Sequence, residues 1–292
     1  MVQKFLAALD GSAASESILP YLESLLAAQD ADVTLTQVVP TPEAADVEKA
    51  HRYLHPLAAV LREKGLVVDV CVATGKPADA LIDLAKQGGY SMILMCSKAR
   101  TGLPRLIYGS VAEDVLRRSP VPVLVVHPQA PGQEKPRLKR IVVPLDGSHR
   151  SGSILQHVAP LAKATGSKLL FVTVVDPRAK DAMPVEVIAR NLFREQKQLH
   201  RQGLQTELLI RYGDPAAEIL SSGDDQHADL VALSTHGRTG LDRALYGSVA
   251  ESILREGRLP LLVLRTAGTY EYDPMHATQI RAEREKERAL GH

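Results

Sequence analysis

A glycine-containing segment late in the chain has the residue types that bind phosphate. Residues 234–248 read STHGRTGLDRALYGS, after an apolar run and before a helical pattern. Backbone amides in such loops and at helix starts converge on anions, and glycine lets the backbone approach phosphate oxygens closely. We therefore predict that Gly237, Gly247 and Ser248 contact phosphates. Arg238 would offset the phosphate charge.

An acidic residue, Asp146, ends an earlier apolar run, in RIVVPLDGS at 140–148. Open parallel sheets bind ligands at the carboxyl ends of their strands. A carboxylate at that place can accept hydrogen bonds from ribose hydroxyls or share a magnesium ion with phosphates. Asp146 is therefore a second candidate for the same site.

Simpler explanations of these residues need no ligand. The sequences from Ser110 to Glu113 and from Ser248 to Glu251 each fit a helix capping box, and Asp146-Gly-Ser fits a turn closed by its own side chain. His51 and His55 have the spacing of metal ligands on a helix, but no third ligand accompanies them, so we predict no metal site. We also find no convincing general base or catalytic triad, so no catalytic residue is predicted.

The candidate residues belong to a sequence that occurs twice. KFLAALDGS at 4–12 matches RIVVPLDGS at 140–148, and RTGLPRLIYGSVAE at 100–113 matches RTGLDRALYGSVAE at 238–251. Such a repeat indicates two homologous domains, and a segment rich in proline, glycine and charge separates them. The predicted division is a first domain at 1–128, a linker at 129–139, a second domain at 140–266 and a charged tail at 267–292.

Each copy alternates five short apolar runs with helical patterns, which predicts an α/β fold with a parallel sheet and helices on both faces. The predicted strands are Phe5–Leu9, Val33–Val39, Val67–Val72, Met92–Met95 and Val123–Val126 in the first copy, and Ile141–Leu145, Lys168–Val175, Gln205–Tyr212, Asp229–Leu233 and Leu261–Leu264 in the second.

The patterns of three strands predict where they lie in the sheet. Gln205–Tyr212 alternates polar and apolar residues, which is typical of an edge strand. The last strand of each copy is apolar, yet Pro122 and Pro260 suit an edge. Because an uncovered apolar edge promotes aggregation, we expect these two strands to cover each other and to join the domains as a pseudo-dimer.

Composition argues against several classes of partner. The 292 residues carry a formal net charge of +1 and no tryptophan, so neither a basic surface nor a set of stacking aromatics for nucleic acid is expected. The chain has no apolar run of about 20 residues and no signal-peptide pattern at its start. We therefore expect a cytoplasmic protein without a membrane or nucleic-acid partner.

Taken together, these motifs resemble a tandem universal stress protein. The resemblance rests on Asp10 and Asp146 with their Gly-Ser, on GSVAE at 109–113 and 247–251, and on the terminal PVPVLVV. It covers both copies, from the first strand to the last. It implies two Rossmann-like domains, each with a five-stranded parallel sheet in the order 3-2-1-4-5. It also implies dimerisation through the last strand.

ATP-binding members of that family carry G-x2-G-x9-G-[S/T], and the second copy matches this motif in part. Ser234 stands at the first glycine position, while the other two glycines and the serine are present. By resemblance, Asp146 would contact the ribose and the backbone of Val174 the adenine. Gly237, Gly247 and Ser248 would contact the phosphates.

The first copy matches the motif less well. Cys96 and Ala99 stand at the first two glycine positions, so only Gly109 and Ser110 remain. A Cβ at Ala99 would occupy the place of a phosphate oxygen. The corresponding first-domain residues are Asp10, Val38, Gly109 and Ser110. We expect this domain to bind nucleotide weakly or not at all.

The leading prediction is a stress-response protein that binds ATP, with or without Mg²⁺, in its C-terminal domain and senses the nucleotide. The first alternative is an interaction module of the same fold that binds no nucleotide. The second alternative is a slow ATPase. All three functions are kept because the fold alone does not determine which of them the protein has. A second copy of the chain is a further candidate partner, and the sequence names no other protein partner.

Overall fold

The structure, a computed structural model, describes residues 3–28, 31–97, 109–128, 136, 138–179, 184–236 and 248–266. Its first half contains a short 3₁₀ helix at Ser15–Ile18 and nine further elements. These are β1 (Gln3–Ala8), α1 (Leu19–Ala28), β2 (Ala31–Val39), α2 (Ala44–Glu63), β3 (Val67–Thr74), α3 (Pro77–Gln87), β4 (Met92–Cys96), α4 (Ser110–Arg118) and β5 (Val123–Val126).

The second half repeats this order, with a short α-helix in place of the 3₁₀ helix. Its elements are β6 (Arg140–Pro144), α5 (His149–Gly152), α6 (Leu155–Thr165), β7 (Lys168–Val175), α7 (Val185–Arg201), β8 (Thr206–Tyr212), α8 (Pro215–Asp225), β9 (Leu230–His236), α9 (Ser248–Glu256) and β10 (Leu261–Thr266). All ten predicted strands are present. Residues 129–135 and 137 of the predicted linker, and the predicted tail at 267–292, lie outside the described residues.

All ten strands form one sheet, in the order β3-β2-β1-β4-β5-β10-β9-β6-β7-β8. Each half is parallel and has the predicted order 3-2-1-4-5. The halves meet where β5 pairs antiparallel with β10, with Leu262 opposite Leu124. The predicted pseudo-dimer through the last strands is therefore confirmed. We call this β5–β10 junction the seam.

Helices cover both faces of the sheet, and successive strand residues enter opposite cores. In β1, Phe5 packs in one core cluster and Leu6 in the other, and Ile141 and Val142 of β6 divide in the same way. Each cluster contains residues of both halves, so hydrophobic packing continues across the seam. Strands that are apolar throughout follow from this burial on two sides.

The positions of the edge strands and prolines agree with the sequence patterns. β8 lies at one end of the sheet, as predicted for Gln205–Tyr212. Pro122 and Pro260 immediately precede β5 and β10, and their carbonyl oxygens accept hydrogen bonds of 3.0 Å from the amides of Ile93 and Val231. Proline lacks an N–H donor, and a place just before the strand avoids the need for one.

A histidine adds a side-chain contact across the seam. His127 Nε2 lies 3.2 Å from the carbonyl oxygen of Leu259, and its Nδ1 lies 3.0 Å from Ser97 Oγ. A carbonyl only accepts, so Nε2 donates to Leu259 and Nδ1 accepts from Ser97. Burial lowers the pKa of His127, although the bond to Leu259 raises it in part. The neutral imidazole thus connects the end of β4 with the turn that precedes β10.

The capping box predicted for the first copy is wrong. The N-cap of α4 is Gly109, with no side-chain cap hydrogen bond, and Ser110 is the first helical residue. The amide of Glu113 donates to the carbonyl oxygen of Gly109 at 3.1 Å. A sequence pattern does not fix a helix start to one residue, and here the helix starts one residue earlier than a serine cap requires. In the second copy Ser248 is likewise the first residue of its helix.

Candidate functional site

Two equivalent pockets lie at the carboxyl ends of the strands, one in each half of the sheet. The second-domain pocket has a cavity volume of about 320 Å³. It lies where the neighbours of β6 diverge, because β7 and β9 pair with opposite sides of that strand. Open α/β sheets bind ligands at such a switch point. The described residues that line this pocket include Asp146, Ser151, Val174, Pro215, Ser234 and Ser248.

Asp146 is positioned by a compact turn just after β6. Its Oδ1 accepts a 2.9 Å hydrogen bond from the amide of Ser148, and its own amide donates to Ser151 Oγ at 3.3 Å. Gly147 has φ of +78°, which favours glycine. A Cβ on Gly147 would also lie only 3.1 Å from the Cα of Ile188 in α7. The turn thus needs glycine both for its conformation and for its packing.

The surroundings of Asp146 keep its carboxylate ionised. Burial of the group raises its pKa, but hydrogen bonds from Ser148 and Ser151 act in the opposite direction, and the net pKa lies below the ordinary value. Although the surrounding protein partly desolvates the carboxyl group, the residue as a whole stays accessible to solvent at the pocket. A charged acceptor at this place can bind hydroxyl groups of a ligand.

The first domain contains the same turn. Asp10 Oδ1 accepts from the amide of Ser12 at 3.0 Å, and the amide of Asp10 donates to Ser15 Oγ at 3.3 Å. The turn explanation is thus confirmed for both copies. Ser15 and Ser151 were missed as part of the motif, although both copies read D-G-S-x-x-S.

Ser234 lies at the end of β9, and its hydroxyl is used within the protein. Its Oγ donates to the carbonyl oxygen of Arg150 at 2.7 Å and lies 3.4 Å from that of Ser151. It therefore fastens β9 to α5, next to the Asp146 turn. The Ser234 side chain lines the pocket, but its hydroxyl group is hydrogen-bonded within the protein.

The start of α9 forms another wall of the second-domain pocket. Ser248 and Val249 line it, so the first amides of the helix lie beside the cavity. Unpaired N–H groups at a helix start attract anions. Gly237, Arg238 and Gly247 lie outside the described residues. Of the seven residues predicted for this site, the structure therefore brings Asp146, Val174, Ser234 and Ser248 together.

The first-domain pocket is smaller, with a cavity volume of about 200 Å³. All four residues predicted for it line the cavity, namely Asp10, Val38, Gly109 and Ser110. Cys96 takes the place that Ser234 has in the other pocket. Burial raises the pKa of the Cys96 thiol to about 12, with a further contribution from the charge of Asp10. This position therefore carries a neutral thiol at physiological pH.

Ligation of a metal by protein side chains alone finds no support in the described part of the chain. No group of three or more His, Cys, Asp or Glu side chains that could hold a metal lies within it. The rings of His51 and His55 stack at a centroid distance of 5.4 Å. Among the helices that the structure describes, none is long and apolar enough to span a membrane.

Comparison with known proteins identifies a family. The model of the universal stress protein family matches residues 1–127 and again 137–265. A universal stress protein of Methanocaldococcus jannaschii is 31% identical over 139 residues, which cover 44% of this chain and 82% of that protein. One from Mycolicibacterium smegmatis is 24% identical over 287 residues, which cover 89% of this chain and 96% of that protein.

A solved structure that covers most of the chain shows the same fold. The crystal structure of a universal stress protein from Archaeoglobus fulgidus superposes with a TM-score of 0.75 at 22% identity, covering 90% of this chain and 98% of that one. A universal stress protein solved in complex with cAMP matches 43% of this chain and 95% of its own, at 24% identity and a TM-score of 0.36.

Proposed function

Because the chain belongs to the universal stress protein family, we propose that its second domain binds an adenine nucleotide, ATP, and senses it rather than consuming it rapidly. One observation carries this proposal. Asp146, Val174, Ser234 and Ser248 were selected from the sequence, and they line one pocket at the strand ends. Asp146 thus meets Val174, 28 positions later in the chain, and Ser248, 102 positions later, around one cavity.

The pocket suits the three parts of a nucleotide. Val174, Ile219 and Leu233 provide apolar surface for a base. The ionised Asp146 can accept from ribose hydroxyls, which gives charge-assisted hydrogen bonds. The start of α9 at Ser248 can bind phosphate oxygens. Gly237, Gly247 and Arg238 complete the phosphate site in the proposal.

Magnesium would enter with the nucleotide rather than bind beforehand. Mg²⁺ usually keeps several waters and binds through one or two carboxylates together with substrate phosphates. Asp146 is the one carboxylate among the described residues that line the pocket. Its chemistry fits a shared Mg²⁺, whose charge would offset that of the phosphates.

The described lining favours binding over catalysis. Asp146 is its one titratable group, and that group is held within its own turn. A hydrolytic site needs a group that positions or activates the attacking water. Any hydrolysis is therefore proposed to be slow, which leaves the slow ATPase as an alternative.

The remaining parts of the proposal concern organisation and location. We propose domains at 1–128 and 140–266, a linker at 129–139 and a tail at 267–292, in a cytoplasmic protein. Two chains could dimerise through their last strands only if those strands were free. Here β5 and β10 already pair with each other at the seam within one chain. A homodimer would therefore have to form through another surface.

Nucleotide binding is tested first with the full chain purified without added nucleotide. The protein is denatured, its supernatant is measured by mass spectrometry, and ATP with Mg²⁺ is titrated calorimetrically into fresh protein. We expect one ATP site per chain. No retained nucleotide and no heat at millimolar ATP would favour the alternative, an interaction module that binds no nucleotide.

A matched pair of variants assigns the site to one domain. Gly237→Val should abolish ATP binding, because a branched side chain would stand where phosphate oxygens approach. Ala99→Val, at the equivalent position of the first domain, should leave the affinity unchanged. Equal losses in both variants would contradict the assignment. ATP turnover that disappears in Asp146→Ala, with the fold intact, would instead support the ATPase.

A further inference from the structure

The strand β8 ends the sheet on the side of the second domain. Among the described residues it pairs with β7 alone, and none of its seven residues is buried. The carbonyl oxygen of Gln205 accepts from the amide of Leu169 at 2.9 Å, and the amide of Gly213 donates to the carbonyl oxygen of Val175 at 3.1 Å. Since backbone groups alternate in direction along a strand, the odd-numbered residues bond to β7. The backbone groups of the even-numbered residues point to the outer edge, the side away from β7, and these residues are Thr206, Leu208, Ile210 and Tyr212.

The two charges of β8 are placed so that the strand complements a second copy of itself. Glu207 and Arg211 lie two residues before and two residues after Leu209. In an antiparallel pair with its twofold axis through Leu209, Glu207 of each copy lies directly opposite Arg211 of the other. Opposite residues are then both odd or both even, so the outward-pointing backbone groups of the two copies also meet. One register thus pairs both the backbone and the charges.

The same charges disfavour other registers of this pair. A twofold axis through Glu207 would place two carboxylates opposite each other, and an axis through Arg211 would place two guanidinium groups opposite each other. Like charges directly opposite destabilise a strand pair. Charges on an edge strand generally prevent unwanted pairing, and here they exclude these two registers while the register about Leu209 satisfies them.

Both charges also have partners within the chain. Glu207 forms an ion pair with Lys168 of β7, and Arg211 Nη2 lies 3.0 Å from Asp225 Oδ2 of α8. Both side chains remain partly exposed, so each can contact a further charge. In the proposed register, Lys168, Glu207, the partner's Arg211 and the partner's Asp225 form a row whose charges alternate in sign.

The edge strand of the first domain lacks this complementarity. The amide of Gly75, just after β3, donates to the carbonyl oxygen of Val39 at 2.9 Å, as the amide of Gly213 does to Val175 after β8. This equivalence aligns β3 with β8. It matches Asp69 with Glu207, Cys71 with Leu209, and Ala73 with Arg211. β3 therefore has the acid but no base to oppose it, and it provides a matched control.

An exposed aromatic side chain lies beside the same edge. Phe193 of α7 is 60% exposed. It precedes His200 by seven residues, so both side chains project from one flank of the helix. His200 Nε2 lies 2.7 Å from Thr206 Oγ1 in β8, whereas Asn191 on the opposite flank donates to the carbonyl oxygen of Gly147. Phe193 thus lies on the flank towards the outer edge, where α7 of a second copy would cover it.

We propose that two copies of the chain dimerise through β8, by antiparallel pairing about Leu209 with Glu207 opposite the partner's Arg211. The twofold axis is perpendicular to the sheet, so two ten-stranded sheets join into one continuous sheet. The pairing leaves the seam unchanged. This inference goes beyond the proposed function, because it requires no nucleotide.

Charge reversal tests the register, with sedimentation equilibrium of the full chain over micromolar concentrations as the measurement. Glu207→Arg and Arg211→Glu each place like charges opposite each other, twice in a symmetric interface, and should weaken the dimer at least about tenfold. The double variant restores opposite charges between the copies and should recover the wild-type Kd within about threefold. It also reverses both contacts within the chain, so a purely intrachain role predicts no recovery. Asp69→Arg, the matched change in β3, should leave the dimer unchanged.

A cross-link tests the position of the axis. Leu209 would face its own copy in a pair without hydrogen bonds, where Cα atoms lie about 4.5 Å apart, a distance that a disulfide spans. Leu209→Cys should therefore form a disulfide between two chains at position 209 under mild oxidation. Non-reducing electrophoresis and mass spectrometry of the digested protein detect it. Wild type has Cys71 at the equivalent place in β3 and should remain uncross-linked.

Three outcomes would overturn the inference. The first is a wild-type chain that stays monomeric throughout the concentration range. The second is a double charge reversal that dimerises no better than the single variants. The third is a cross-link between position 209 and Cys71, which would show head-to-tail pairing of β8 with β3.

Discussion

The two aspartate turns share one hydrogen-bond pattern but have different neighbours. Asp10 and Asp146 each accept from the amide two residues on, at 3.0 and 2.9 Å. Yet a Cβ on Gly147 would meet the backbone of α7 at 3.1 Å, whereas one on Gly11 would meet only the side-chain amide of Gln37, at 3.3 Å. The local sequence therefore determines the conformation of the turn. The packing of α7 against Gly147 determines how well the turn in the second domain tolerates a substitution.

The largest expected difference is in stability. Gly147→Ala should lower the free energy of unfolding by about 2–4 kcal/mol, since backbone strain adds to a clash with Ile188. Gly11→Ala should cost about 1 kcal/mol, because Gln37 can move aside. Urea denaturation measures both variants. Equal losses of stability in the two variants would show that the backbone of α7 moves aside as readily as the side chain of Gln37. That result would contradict the difference in packing between the two turns.

The next effect concerns ATP affinity. Asp146→Asn keeps an acceptor for the amide of Ser148 but removes the charge, so ATP should bind about 10- to 100-fold more weakly. Asp10→Asn makes the same change in the first domain and should leave the affinity within about twofold. Calorimetric titration compares the two. A loss in Asp10→Asn as large as that in Asp146→Asn would show that the sites do not differ in this way.

A smaller effect separates the residues at the ends of β4 and β9. Ser234→Ala should lower the free energy of unfolding by about 1 kcal/mol, because the bond to the carbonyl oxygen of Arg150 is lost. Cys96→Ala tests the equivalent position, where the thiol makes only a 3.4 Å contact with the carbonyl oxygen of Ser97. Thermal unfolding compares them. A smaller loss for Ser234→Ala would argue against the role of Ser234 in holding α5.

Cys96 also has a chemical signature that depends on pH. Because its pKa is about 12, little thiolate forms at neutral pH, and its alkylation by iodoacetamide should stay slow at pH 8 and accelerate towards pH 12. Mass spectrometry of digested protein measures the rate, and Cys96→Ser is the control. Rapid alkylation at pH 7 would contradict the buried neutral thiol in the first pocket.

The smallest effect is the contribution of Asp146 to acid stability. The pKa of this residue is lowered in the folded state, so its contribution is present above its unfolded pKa of about 3.8 and is lost as pH falls through the lower folded value. The stability of wild type relative to Asp146→Asn should therefore decrease below pH 5. A constant difference between pH 5 and pH 2 would contradict this.

The sequence allowed the strands to be predicted because burial leaves a direct pattern. Ile141–Val143 is apolar throughout and lies between two cores, whereas Thr206–Tyr212 mixes polar and apolar residues and lies at an edge. The seam followed from two apolar strands that each needed a cover. The strand order itself came from the family resemblance.

The candidate site was predictable only in part, because tertiary geometry fixes the remainder. Ser234 bonds to Arg150, a residue 84 positions away in the chain, and no local pattern shows that contact. The cap at Gly109 differs from the predicted one by a single residue, which is within the uncertainty of a helix boundary.

The seam has a consequence for how the two sites can change. In a symmetric dimer of identical chains, every substitution appears in both subunits, and dilution separates the subunits. Here one polypeptide supplies both strands, so their pairing is intramolecular and does not depend on protein concentration. A substitution in one pocket, such as the exchange of serine for cysteine at the position of Ser234 and Cys96, then alters one site alone. Linkage in a single chain thus lets the lining of one pocket change while the other keeps its own.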